Sequence, residues 1–166
     1  ANSIVSQDLL SAAEFELRFM EQNDVNPIYF MDDDYPFRLK QCVDAPIMLY
    51  VKGDVNLNPK RIVSIVGTRK ATDYGRNITD QLIKGLSHLD DLLIISGLAY
   101  GIDVAAHKSC LKYNIPTVGV LAHGLDRIYP SIHSRISKEM QEQGALLCDF
   151  TSGTNPDREN FPKRNR

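Results

Sequence analysis

Cysteine is scarce in this sequence, and the few residues present do not pair. Cys42, Cys110 and Cys148 are odd in number and widely separated, without the short spacing of a zinc site or a dithiol redox couple. They read as buried, reduced core residues. Long apolar runs are also missing, since none approaches the ~20 residues that span a bilayer. The opening stretch ANSIVSQDLL lacks a basic segment, an apolar stretch and a small-residue cleavage site, so no secretion signal is expected. These absences point to a cytoplasmic protein that makes no use of a membrane. His88, His107, His123 and His133 form no ligand cluster in sequence, and no metal or cofactor is expected. Asp32, Asp33 and Asp34 are followed by no carboxylates at calcium-loop spacing, which leaves a solvated loop. Neither an internal repeat nor a low-complexity tract is present.

What the chain has is enough apolar content to fold. Its 166 residues are 43% hydrophobic, which suits one main domain with a small appendage. The net charge of −2 does not advertise a polyanion partner, but its distribution is uneven. Residues 1–60 carry five Lys/Arg against ten Asp/Glu, and residues 61–166 carry fourteen against eleven. A polyanion site therefore belongs to the second part.

Hydrophobic spacing predicts an opening helix, capped by Ser6 or Asp8 and running to about Gln22, with Leu9, Leu10, Ala13, Leu17 and Met20 on one face. Residues 23–36 mix a short apolar segment with turn formers, and 47–51 (IMLYV) read as a strand. From Arg61 the pattern becomes regular. Strands are expected at 62–66, 92–95, 117–121 and 145–148, separated by helices at 73–88, 103–113 and 131–143. In the first of these helices Ile78, Leu82, Ile83 and Leu86 are expected to face inward, and Gly144 closes the last. Continuous apolar strands between amphipathic helices indicate an α/β protein: Rossmann-like and doubly wound, with a mostly parallel sheet and helices on both faces.

Ligands of such sheets bind at the carboxyl ends of the strands, and each of those ends carries unusual residues. Gly67-Thr68-Arg69-Lys70 follows the first strand of the regular region, 96–101 (SGLAYG) the second, His123-Gly124-Leu125-Asp126 the third and Gly153-Thr154 the fourth. In 96–107 (SGLAYGIDVAAH) a strand passes into a helix. Unpaired N–H groups at a helix start attract anions, and Gly97 and Gly101 permit close approach. Two readings stay open here: a phosphate site, or glycines that serve only the turn and the packing. Arg69 has a fork that suits a phosphate, and Lys70 is a point charge. The loop is neither GxGxxG nor GxxxxGK[ST], which counts against a dinucleotide dehydrogenase and a P-loop ATPase.

Asp103 and His107 stand four apart and share a helix face. With no nucleophile or metal cluster beside them, a structural role is favoured: Asp103 caps the helix start or favours its dipole, and His107 fixes a neighbouring loop. Ser96 is a turn hydroxyl or a phosphate donor and not a nucleophile, because its surroundings are not G-x-S-x-G. In the final stretch Arg158, Lys163, Arg164 and Arg166 surround Phe161. Cations with an interleaved aromatic can follow a single strand, and loose termini can also simply fray.

Together VGTRKATDYG, SGLAYGIDVAAH, TVGVLAHGLDRIYP and NFPKRNR resemble the DNA-processing protein A family (DprA, also called Smf). The four blocks cover roughly residues 61–166, and Tyr35-Pro36 with 49–53 (LYVKG) is similar to the family's lead-in. The resemblance implies a non-enzymatic, Rossmann-like domain at residues 36–166 that binds single-stranded DNA without strong sequence preference. It also implies loading of a RecA-type recombinase during DNA uptake and natural transformation. Residues 1–35 would be a helical segment and linker left from a helical domain. The chain would be a C-terminally truncated fragment of a protein that is a homodimer when whole. On the matching positions Gly67, Thr68 and Arg69 would hold a phosphate, with Lys70 beside them. Ser96, Gly97, Ala99, Tyr100, Gly101, His123 and Gly124 would line the same groove. Phe161, Lys163, Arg164 and Asn165 would close it. Tyr100 stands where the family usually has lysine or arginine, which exchanges a charge for a surface that can stack. The competing expectation is a phosphoribohydrolase-like enzyme that binds a mononucleotide on a related fold, but the PGGxGTxxE block of that group is absent. A mononucleotide sensor is a third reading.

Overall fold

The computed structural model describes residues 7–165. It contains helix α1 (Gln7–Asn23), strands β1 (Val25–Tyr29), β2 (Met48–Gly53) and β3 (Arg61–Ser64), then α2 (Asp73–Leu86), β4 (Leu92–Gly97), α3 (Ile102–Lys112), β5 (Thr117–Val120), α4 (Ser134–Gln143), β6 (Ala145–Cys148) and α5 (Asn160–Arg164). Short 3-10 turns occur at Leu39–Gln41 and Ser131–His133. The six strands form one sheet in the order β1-β2-β6-β5-β4-β3. β3 to β6 are parallel, and β2 and β1 complete the sheet antiparallel to β6 and to each other.

The α/β class with a mostly parallel sheet is therefore what the chain forms. Within it, β3 to β6 follow one another in space, and with right-handed crossovers such an order puts the connecting helices on one side. Alternation along the strands agrees, because successive side chains point to opposite faces. Leu92 and Ile94 pack with Ile83 of α2 and with Ala106 and Cys110 of α3, and Leu146 packs with Ile136 and Met140 of α4. The opposite-facing Leu93, Val118 and Ala145 instead meet Tyr35 and Leu57. Among the described residues the second face is thus closed by the segment between β1 and β3, where Tyr35 donates its hydroxyl to Pro46 O at 2.6 Å.

Several expectations change. Residues 25–29 are an edge strand and not part of a linker, since Val25 and Ile28 turn inward from it. Pro27 is tolerated there because an edge strand leaves N–H positions that need no partner. In α2 the buried residues are Thr79 and Ile83, whereas Ile78 and Leu82 are exposed. In α1 Met20 is buried, but Leu9, Leu10 and Leu17 are exposed; Ser6 lies outside the described residues. Cys110 and Cys148 are buried thiols pushed up to about 12 by burial, but Cys42 is exposed. No helix among the described residues is long and apolar enough to cross a membrane.

Candidate nucleic-acid interface

The carboxyl ends of β3, β4, β5 and β6 form one rim, and α5 lies across it. The loop after β3 rests directly on the start of α3. Ile102 N donates to Thr68 O at 3.2 Å, and a Cβ on Gly101 would overlap the carbonyl of Thr68 and come within 2.8 Å of Arg69 O. Gly101 also has φ +83°, a region open to glycine at little cost. A Cβ on Gly67 would lie 2.6 Å from the Ile102 side chain. Glycines here bring two loops together, and one N–H of the helix start is used for that purpose.

The anion expected at this helix start is supplied by the chain itself. Asp103, in the first turn of α3, is 6% exposed. Burial raises its carboxyl above the ordinary carboxylate value, while Arg164 and the backbone N–H groups of Ala99 and Gly67 favour its charged form. Gly97 lies between the charges, since a Cβ there would strike the Arg164 guanidinium and come within 2.5 Å of Asp103 Oδ2. Arg164 Nη1 also donates to Val120 O at 2.6 Å. The arginine thus lies at the carboxyl ends of the strands, the side of such sheets where ligands bind.

Phe161, one turn before Arg164, faces outward into the cations. The Arg69 guanidinium lies 5.1 Å and that of Arg164 6.0 Å from its ring centre, both within cation–π range. The Tyr129 ring tilts against it at 6.2 Å. Thr68, Arg69, Lys70, Lys163 and Asn165 are exposed. Arg69, Lys70 and Lys163 form no ion pair among the described residues. Tyr100 is 48% exposed and sits edge-on to His133 at 5.2 Å.

Other expected site residues look inward. Ser96 spends its hydroxyl on Ile65 O at 2.6 Å, which removes it as a phosphate donor. Gly124 is buried beneath the following loop, where a Cβ would meet Thr151 O at 2.5 Å. Buried His123 donates Nδ1–H to Gly124 O at 2.8 Å, and its Nε2 has no hydrogen-bond partner among the described residues. Burial lowers its pKa, against the backbone of Gly124 and Tyr129, which favours the charged ring. His123 lines a cavity of about 10 Å³ together with Ala99, Tyr129, Phe161 and Arg164 among others. That is room for little more than one water. His107 has the structural role expected of it: Nε2–H donates to Gly97 O at 2.8 Å, and Nδ1 is 2.8 Å from the Thr117 hydroxyl. His133 donates Nδ1–H to Leu98 O at 2.9 Å. Sequence reasoning missed Tyr129 and His133, and the Tyr129-Pro130 pair was the available signal for the first.

Known proteins are similar over most of the chain. The family model for DNA recombination-mediator protein A matches residues 26–166. The DNA processing protein DprA of Streptococcus pneumoniae is 36% identical over 136 residues, covering 82% of this chain and 48% of the relative. That of Bacillus subtilis is 38% identical over 143 residues, covering 86% and 48%. The chain thus spans about half the length of these curated relatives. The crystal structure of the S. pneumoniae protein superposes with a TM-score of 0.77 at 30% identity, over 97% of this chain and 58% of that one. A Helicobacter pylori DNA processing protein A structure, described for its single-stranded DNA binding mode, gives 0.71 at 27% identity over 85% and 62%. The chain belongs to the DNA recombination-mediator protein A family.

Proposed function

We propose that this chain binds single-stranded DNA along the rim, with Arg69, Lys70 and Lys163 meeting phosphates and Phe161 and Tyr100 offering ring faces to bases. The observation that carries the reading is the Arg69–Phe161 pair on an exposed edge whose cations form no ion pair among the described residues. Cations that follow the backbone beside aromatics that stack give binding with little sequence preference. Gly67, Thr68 and Gly101 shape the backbone on which Arg69 rests, and Gly97, Ala99 and His123 lie behind it. In the whole protein the same surface would serve a DNA-processing role in the cytoplasm, with a homodimer that passes the strand to a RecA-type recombinase. Nothing in this role requires catalysis. The mononucleotide-enzyme alternative is disfavoured by Arg164, which occupies the crevice such an enzyme would need.

Anisotropy of labelled oligo-dT titrated with the chain at several salt concentrations tests the reading. Arg69→Ala is expected to weaken binding and flatten the salt dependence by about 0.7 in log–log slope, the value for one lost single-strand phosphate contact. Unchanged affinity and slope would remove Arg69 from the interface. Release of free base from AMP by the pure protein would reinstate the enzyme.

A further inference from the structure

We infer that Arg164 is a positioning residue, which seats the 160–165 segment in the notch at Gly97 and so holds Phe161 against Arg69 without itself touching DNA. The inference rests on the single-stranded DNA reading, but one of its tests does not.

The α5 helix has five residues, too few to form unless something outside holds it. Two side chains supply that hold. At its start Asn160 is buried and donates to Asn155 O at 3.1 Å. At its end Arg164 reaches Val120 O and lies beside Asp103 across Gly97. Phe161 lies between these anchors and has Tyr129 as its ring neighbour. The Arg164 fork is directed into the strand ends, where its charge faces a buried carboxylate, so little of it is left for a phosphate. Glycine at position 97 is what makes the seat, because any side chain there would take the space of the guanidinium.

Five variants separate this role from a direct contact. Without DNA, hydrogen exchange of the 160–165 amides is expected to quicken at least tenfold in Arg164→Ala, Asp103→Asn and Gly97→Ala, with β4 and β5 amides unchanged. Arg164→Lys should restore part of the protection. With oligo-dT, the same three variants should lose about tenfold in affinity with one common salt slope, because Asp103→Asn and Gly97→Ala release the segment, Lys163 included, without removing a cation. The Arg164→Ala/Asp103→Asn double variant should be no worse than either single one, as expected of partners in one interaction. Unchanged exchange, or a slope in Arg164→Ala that falls further than in Asp103→Asn and Gly97→Ala, overturns the inference. If the unaltered chain does not bind oligo-dT, the function reading fails while exchange still judges the latch. Should Arg164→Ala not fold, Gly97→Ala and Arg164→Lys carry both measurements.

Discussion

Three buried histidines each give one ring N–H to a rim carbonyl: His107 to Gly97, His133 to Leu98 and His123 to Gly124. The first two fix the peptide run between β4 and α3 from behind, the third fixes the turn after β5, and the outer surface is left to other residues. Burial lowers the His107 pKa from 6.5 to about 4, which makes stability depend on pH. The unfolded chain takes up a proton that the folded ring refuses, so the contribution is full above pH 6.5 and is lost as pH falls through about 4. The loss should reach on the order of 3 kcal/mol, and His123, lowered in the same direction, adds to it. Urea unfolding at pH 7.5 and pH 5 should show about 2 kcal/mol of this loss. His107→Gln should remove most of the difference, and equal stabilities in the unaltered chain would contradict it. The four-residue spacing of Asp103 and His107 was legible as one helix face. Their partners were not, because Gly97, Thr117 and Arg164 are brought to them by other elements.

Among the elements, the loop after β3 and the start of α3 behave as one unit hinged on Gly101. Replacing Gly101 by alanine forces a side chain into positive φ and into the Thr68 carbonyl. A loss of roughly 2 kcal/mol or more is expected, together with weaker oligo-dT binding because the Arg69 backbone rests there. Thermal unfolding of Gly101→Ala checks the first part, and a change below about 0.5 kcal/mol, the usual surface effect, would refute it. The strand and helix alternation from β3 to β6 was readable because apolar runs and amphipathic spacing differ in period. The phase of α2 was not. β3 is the sheet edge, so one flank of the helix is left uncovered, and the apolar Ile78 and Leu82 lie exposed while Thr79 is buried. Composition cannot show which flank lacks a neighbour. β1 was hidden for a similar reason, since its pairing with β2 spans the loop between them and Pro27 reads locally as a breaker.

For the molecule as a whole, net charge is a poor guide and placement a good one. The chain is acidic by two charges, yet Arg69, Lys70 and Lys163 are exposed together without ion-pair partners among the described residues. Three phosphate contacts imply a log–log salt slope of about −2 for a single strand. On the proposed reading, Tyr100 sets how much of the affinity is independent of salt. Its ring is held edge-on by His133, itself fixed to Leu98 O, so a base stacking on it meets a surface already in place. Tyr100→Ala should lower oligo-dT affinity by about 1–3 kcal/mol, the range for one lost stacking contact, at constant slope. Tyr100→Lys should steepen the slope by about 0.7 through a fourth phosphate contact, binding more tightly at low salt and less tightly at high salt than the tyrosine protein. Salt titrations of the three proteins on one oligonucleotide measure both quantities. Equal affinity in Tyr100→Ala would show that the ring stacks on nothing, and an unchanged slope in Tyr100→Lys would place position 100 away from the DNA backbone.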